Sequence, residues 1–164
     1  MENTREIFLM QQTYATLFSL ANKIQVTGDQ YLKSLTSRQL MAMIAIVHLP
    51  EGEASLNNIA RMLGTTKQSV KQIITIIENK GYVDSVPNPR DKRAVNIKIT
   101  ETGDQALLES NELGIKLLAY LFHDFNLEEM EILWSLLKKL YRFDGVEQAS
   151  FEEEIDYKPI NKGV

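Results

Sequence analysis

The stretch Thr65-Thr66-Lys67-Gln68-Ser69-Val70-Lys71-Gln72-Ile73-Ile74-Thr75-Ile76-Ile77-Glu78-Asn79-Lys80-Gly81 carries Val70, Ile73, Ile74 and Ile77 at the i, i+3, i+4, i+7 spacing of one helix face. Thr65 or Thr66 can cap the free N–H groups at its start, and Gly81 stands where a left-handed residue ends a helix. The other face bears Lys67, Gln68, Ser69, Lys71, Gln72 and Thr75, with no acid before Glu78. Such side chains reach phosphates and base edges. Taken alone, the same face is also what any solvated amphipathic helix shows.

The flanking segments separate these readings. Upstream, Ser55 to Gly64 reads as a shorter helix with Leu56, Ile59, Ala60 and Leu63 on one face and Gly64 at its end. Two helices joined by a tight glycine-containing turn form a helix-turn-helix, whose second helix enters the groove. Downstream, Tyr82–Val86 and Ala94–Ile99 alternate apolar with polar residues, as half-buried strands do. The connection Pro87-Asn88-Pro89-Arg90-Asp91-Lys92-Arg93 is too rigid and too charged for a core. A hairpin with a basic tip directly after a helix-turn-helix is a wing.

These residues resemble the MarR family of winged helix-turn-helix transcriptional regulators. Asp91-Lys92-Arg93, followed by Ala94 to Lys98 and then Ile99-Thr100, fits that family's Asp-x-Arg wing signature running into a hydrophobic residue and Thr. Glu78 to Val83 ahead of Pro87-Asn88-Pro89 matches the close of its recognition helix. The resemblance in arrangement spans about residues 5–143, with its specific part at Ser55 to Gly103; Asp84 departs from it, standing where many relatives carry a basic residue.

Composition agrees. A chain of 164 residues with 44% hydrophobic content can bury one core without staples. It contains no cysteine, which excludes disulfides, thiolate metal sites and thiol sensing. No run of eighteen apolar residues occurs and the first residues lack a basic secretion start, so a cytoplasmic protein without membrane contact is expected. The net charge of −4 is divided unevenly. Residues 55–100 hold eight basic residues against three acidic ones, a net of +5, which leaves −9 for the rest. A basic face on an otherwise acidic protein steers a polyanion to one side.

The outer segments are too apolar for one small domain. Ile7 to Val26 forms a broad stripe, broken at Gly28 and Asp29. Thr36 or Ser37 caps a helix from Arg38 to Leu49 that is apolar nearly all round and reads as the buried spine. Thr100 or Thr102 starts a long helix to about His123, and Asn126 caps another from Leu127 to Phe143 with Met130, Leu133, Trp134, Leu137, Leu140 and Tyr141 in a stripe. The expected fold is mainly α with a small β-hairpin wing: residues 1–34 an N-terminal dimerisation helix, 35–100 the winged helix-turn-helix, 101–143 C-terminal dimerisation helices, and 144–164 an acidic tail. The resemblance implies the same interleaved homodimer. The tail reads as poorly ordered or as loosely docked through Phe151, Ile155 and Tyr157.

As DNA-binding residues this reading selects Thr65 and Thr66 for phosphate, Lys67, Gln68, Ser69, Lys71 and Gln72 for the major groove, and Arg90, Asp91, Lys92 and Arg93 on the wing. By resemblance, Arg93 enters the minor groove and Asp91 orients it by an ion pair; alternatively, that pair only stiffens the hairpin. A dimer would present two recognition helices to a pseudo-palindrome with half-sites roughly 10 bp apart. The resemblance also implies a small-molecule effector, often an aromatic acid, between the dimerising helices and the winged domain, where Tyr14, Phe18, Tyr31, Met41, His48 and Trp134 could form the walls; such residues are more often core. No cofactor, nucleophile motif or phosphate loop is visible, and no enzyme is expected. A zinc site built across a dimer from His48, His123 and Asp124 is a minor alternative. A second reading keeps the fold but gives the basic face to an acidic protein partner, without specific DNA binding.

Overall fold

Each helix after the first begins on a residue whose side chain accepts a hydrogen bond from its own first turn. These caps are Thr36, Ser55, Thr66, Thr100 and Asn126, and the chain between them falls into place accordingly. The computed structural model describes residues 4–148 and residue 151. The elements, in order, are α1 (Thr4–Tyr31), α2 (Ser37–His48), α3 (Leu56–Leu63), α4 (Lys67–Asn79), β1 (Val83–Pro87), β2 (Val95–Ile99), α5 (Glu101–Leu121) and α6 (Leu127–Tyr141), with a 3-10 turn at Arg142–Asp144. The fold is mainly α with a β-hairpin wing, as the sequence indicates.

The core lies where α2, α3 and α4 meet the base of the hairpin. Met43, Ile59, Val70, Ile77 and Val83 are fully buried there, with Ile74 and Ile97 beside them. Burial of one such side chain is worth about 1.5–3 kcal/mol, so the apolar face of α4 fixes the helix firmly. Gly64 ends α3 and Gly81 follows α4, both with positive φ (63° and 77°), where an L side chain is strained.

Four expectations need correction. The first helix does not stop at Gly28 but continues to Tyr31. Gly28 is buried against Ser37, where α1 crosses the start of α2; Ser37 N–H donates to Asp29 Oδ1 (2.6 Å), and its hydroxyl donates to Gln25 O (3.2 Å). The residues that read as a break are a crossing point. α2 is buried through Ala42, Met43, Ala45 and Ile46 but not all round, since Met41 lies on its exposed side.

The second strand also departs from alternation. Val95 is exposed, and Asn96 and Ile97 are both buried. Asn96 Nδ2 donates to Gly52 O (2.7 Å), and Ile97 N–H donates to Ala54 O (2.9 Å). The loop before α3 thus lies along β2 with a bridge between Ser55 and Asn96, and the hydrogen bonds turn a polar side chain inward. The hairpin itself is antiparallel in the register Val83 to Ile99, and it places Asp84 opposite Lys98. Opposite charges in that position favour the pairing, which gives Asp84 a place in the wing.

Outside this core the chain is far less covered. Phe8, Met10, Tyr14 and Phe18 on α1, Ile115 and Leu118 on α5, and Ile132, Trp134 and Leu136 on α6 are exposed, and α6 has no buried residue. The last helix ends at Tyr141 rather than Phe143, and the 3-10 turn follows. Of the acidic tail, residues up to 148 and Phe151 are described; Phe151 packs against the core, and Ile155 and Tyr157 lie outside the described residues.

Gly103 packs the first turn of α5 directly on the hairpin, where a Cβ would collide with the carbonyl oxygen of Tyr82 and with Ile99. Because the obstacle is backbone, Gly103→Ala is expected to lower the unfolding free energy by about 1–3 kcal/mol. Urea denaturation followed by circular dichroism measures it; an unchanged midpoint would show that α5 is not held this closely.

Candidate nucleic-acid interface

At the start of α4 the Thr66 hydroxyl does two jobs. It accepts from Ser69 N–H (3.1 Å) and donates to Ser69 Oγ (3.0 Å). The N–H of Thr65 is already given to Ala60 O (3.0 Å), which closes α3. Thr66 is therefore committed to capping. The groups left for an anion at this helix start are the N–H groups of Lys67 and Gln68, which lack intrahelical partners by geometry, together with the Ser69 hydroxyl proton. Lys67, Gln68, Lys71 and Gln72 are exposed, while Thr65 and Ser69 are half-buried. The six residues of this group form one surface along the first two turns.

The wing tip is shaped by two side-chain-to-backbone bonds. Asn88 Oδ1 accepts from Arg90 N–H (2.8 Å), and Asp91 Oδ1 accepts from Arg93 N–H (2.9 Å). Both are Asx turns, in which a short acceptor replaces a backbone carbonyl. Asn88 N–H to Ala94 O and Ala94 N–H to Asp91 O, each 3.0 Å, close the loop. Arg90, Lys92 and Arg93 all remain exposed on it. The expectation that Asp91 pairs with the Arg93 guanidinium is corrected: the carboxylate holds the Arg93 main chain, and among the described residues no ion pair joins the two side chains. Asn88 escaped sequence reasoning, although an Asn between two prolines ahead of Arg-Asp is a turn signal.

Not every cation in the basic segment belongs to this surface. Lys80 Nζ donates to Ser34 O (3.1 Å) and to Gln39 Oε1 (3.0 Å) and lies 5.8 Å from the Tyr82 ring centre. Gln39 is also the reciprocal member of the α2 capping box. Lys80 thus ties the end of α4 to the start of α2. On the same turn, Glu78 Oε1 accepts from Ser85 N–H (3.0 Å) and fastens α4 to β1.

The six aromatic, Met and His residues proposed for an effector do not converge within the chain. Tyr14 and Phe18 sit together on exposed α1 (ring centres 4.9 Å), Tyr31 stacks on Tyr120 (5.8 Å), and Met41 faces outward. His48 Nδ1 donates to Ile44 O (2.9 Å), and its ring meets Phe151 edge-on at 5.4 Å. Trp134 lies under the Lys138 ammonium at 3.9 Å and, with Leu17, Tyr141 and Phe151, lines a cavity of about 610 Å³. Trp134 alone of the six borders it. His123 Nε2 is 3.3 Å from Asp124 Oδ1, and among the described residues no three His, Asp or Glu side chains gather in a metal-binding group.

A helix-turn-helix with an exposed polar second helix and a basic hairpin beside it defines the winged helix class of DNA-binding folds. Residues 33–94 match the model of the MarR family. The structure is similar to that of MepR from S. aureus in complex with DNA (21% identity, 78% of this chain and 96% of that one, TM-score 0.69). It is similar to a single-residue variant of MarR from E. coli complexed with operator DNA (23% identity, 85% and 99%, TM-score 0.69). A third similar structure is PcaV from Streptomyces coelicolor in complex with its natural ligand (14% identity, 78% and 90%, TM-score 0.70). At these identities the likeness is one of fold.

Because Lys80 makes two charge-assisted bonds from an exposed position, Lys80→Ala is expected to cost about 1 kcal/mol of stability. Lys71→Ala, on the exposed face, should stay within about 0.5 kcal/mol. Paired urea titrations compare the two, and equal midpoints would mean that the Lys80 contacts contribute nothing.

Proposed function

We propose that this protein is a sequence-specific double-stranded-DNA-binding transcriptional regulator that acts as a homodimer on a pseudo-palindromic operator. The observation that carries this reading is the exposed Lys67, Gln68, Lys71 and Gln72 surface of α4, held rigid from its buried face and flanked by a preformed basic wing tip. Gln grips adenine N6 and N7 bidentately, and Lys approaches guanine O6 and N7. Arg90, Lys92 and Arg93 reach the flanking backbone, Arg93 entering the minor groove. That two of the similar structures are complexes with DNA supports DNA binding.

Exposed apolar area supports the dimer. Phe8, Met10, Tyr14, Phe18, Ile115, Leu118, Ile132 and Leu136 lie on α1, α5 and α6, away from the winged core. Patches of this kind on one side of a small domain mark an interface. The outcome of binding is repression, relieved when a small aromatic molecule favours a dimer whose recognition helices are misplaced; the ligand complex of PcaV supports an effector in this fold. No catalytic step forms part of this reading. Among the described residues no helix is long and apolar enough to cross a membrane, and a DNA-binding role puts the protein in the cytoplasm.

The basic face could instead serve an acidic protein partner, and ionic strength and sequence preference separate the two. Selection of duplexes from a random pool should enrich an inverted repeat with half-sites about one turn, roughly 10 bp, apart. On that sequence Arg93→Ala should weaken binding to all duplexes and flatten the salt dependence, by about 0.9 in log–log slope per lost phosphate contact. Gln68→Ala should relax preference at a single base position. Lys80→Ala should leave the salt slope unchanged. A pool without enrichment would set this function aside in favour of the protein-contact reading.

A further inference from the structure

The outward face of α4 is polar except at one place. Val70, Ile74 and Ile77 point into the core, and at 100° per residue the opposite side carries Gln68, Gln72, Thr75, Ile76 and Asn79. Ile76 is 47% exposed there, although its isoleucine neighbours 74 and 77 are buried. The residue before it is altered as well. The Thr75 hydroxyl donates to Lys71 O (2.8 Å), so its proton is committed to the helix and its side chain offers an acceptor oxygen and a methyl group. Ile76, one turn beyond Gln72 and about 40° round the axis from it, is therefore an apolar step at the edge of a face otherwise built for hydrogen bonding.

The geometry points to Ile76 as the contact that reads the C5-methyl group of a thymine in each half-site. This inference rests on the DNA-binding function proposed above and deepens it. Of the four bases only thymine presents a methyl group in the major groove, and apolar side chains including the Thr methyl recognise it. The chemistry around the step fits that partner and no extended apolar one: exposed Gln72 lies one turn before Ile76, and exposed Gln68 lies one turn before Gln72 on the same face. A rise of 1.5 Å per residue puts Ile76 about 6 Å along the axis from Gln72. At about 3.4 Å per base step, the thymine lies one to two base pairs from the base that Gln72 contacts.

The test uses the full-length protein and the duplex selected from a random pool. Each thymine of one half-site is replaced in turn by deoxyuracil, which removes the C5-methyl and nothing else. At one position the wild-type protein is expected to lose affinity about fourfold, the weight of one buried methyl-sized group, and Ile76→Ala should bind the thymine and uracil duplexes equally. Thr75→Val, which keeps a methyl and removes the hydroxyl, should retain the thymine preference. Circular dichroism of both variants checks that α4 is intact. A duplex bound specifically and with steep salt dependence, yet indifferent to every uracil replacement, would overturn the assignment of Ile76 and leave the DNA-binding function standing. A uracil effect of the same size in wild type and Ile76→Ala would assign the methyl to another residue. No enriched duplex at all would overturn the function and this contact with it.

Discussion

Thr100 is where the recognition helix, the wing and the long C-terminal helix are joined. Its N–H donates to Tyr82 O (3.0 Å), its hydroxyl donates to Gly81 O, and the same oxygen accepts from Gly103 N–H (3.0 Å) to cap α5. Gly81, at φ 77°, provides the reversal that makes the meeting possible. The three bonds leave no slack between the exit of α4 and the entry of α5. A change in the angle at which α5 leaves the domain must break them or carry the end of α4 along. Thr100 is thus one of the ties on the end of α4, another being Lys80, which holds it to Ser34 and to Gln39 of α2.

The basic segment has a division of labour that net charge conceals. Of its cations, Lys80 is spent on Ser34 and Gln39, and Lys98 stands across the hairpin from Asp84. Lys67, Lys71, Arg90, Lys92 and Arg93 are exposed, on the first turns of α4 and on the wing tip. The first group fixes the angle at which the second is presented. A field of several charges accelerates encounter, but only side chains on a rigid frame discriminate among sequences. Here the frame consists of Lys80 and Glu78 at one end of α4, Thr66 at the other and the buried isoleucines between.

Much of this was legible in the residue order because it depends on local rules. The i, i+3, i+4 stripe through Val70, Ile74 and Ile77, the capping hydroxyls of Thr36, Ser55 and Thr66, and the turn glycines Gly64 and Gly81 need no tertiary knowledge. What escaped depended on partners distant in sequence. Gly28 looks like a helix breaker until Ser37 of the next helix is placed against it. Asn96 looks like an outward strand residue until the Gly52 carbonyl, 44 positions earlier, claims its amide. Asp91 was given a guanidinium and holds a peptide N–H instead. A charge pair suggests itself from sequence, whereas an Asx turn depends on a backbone conformation that sequence states less plainly.

The residues expected to line an effector pocket are the ones that sequence spacing places least well, and the reason is physical. Tyr14, Phe18 and Trp134 lie on helices whose apolar sides face solvent in a single chain. α6 spans Leu127–Tyr141 without one buried residue, and a helix of this length draws most of its stability from packing rather than from propensity. Its capping box, Asn126 with Glu129, sets where it starts but supplies only about 0.5–2 kcal/mol. A second copy laying its own α1 and α6 against these faces would remove that area from water, and it would also complete the walls of the cavity beside Trp134, which Phe151 bounds on one side. Were such a pocket assembled from two chains, it could not be read from the spacing of residues in one, since no periodicity links a residue to its counterpart across an axis of symmetry.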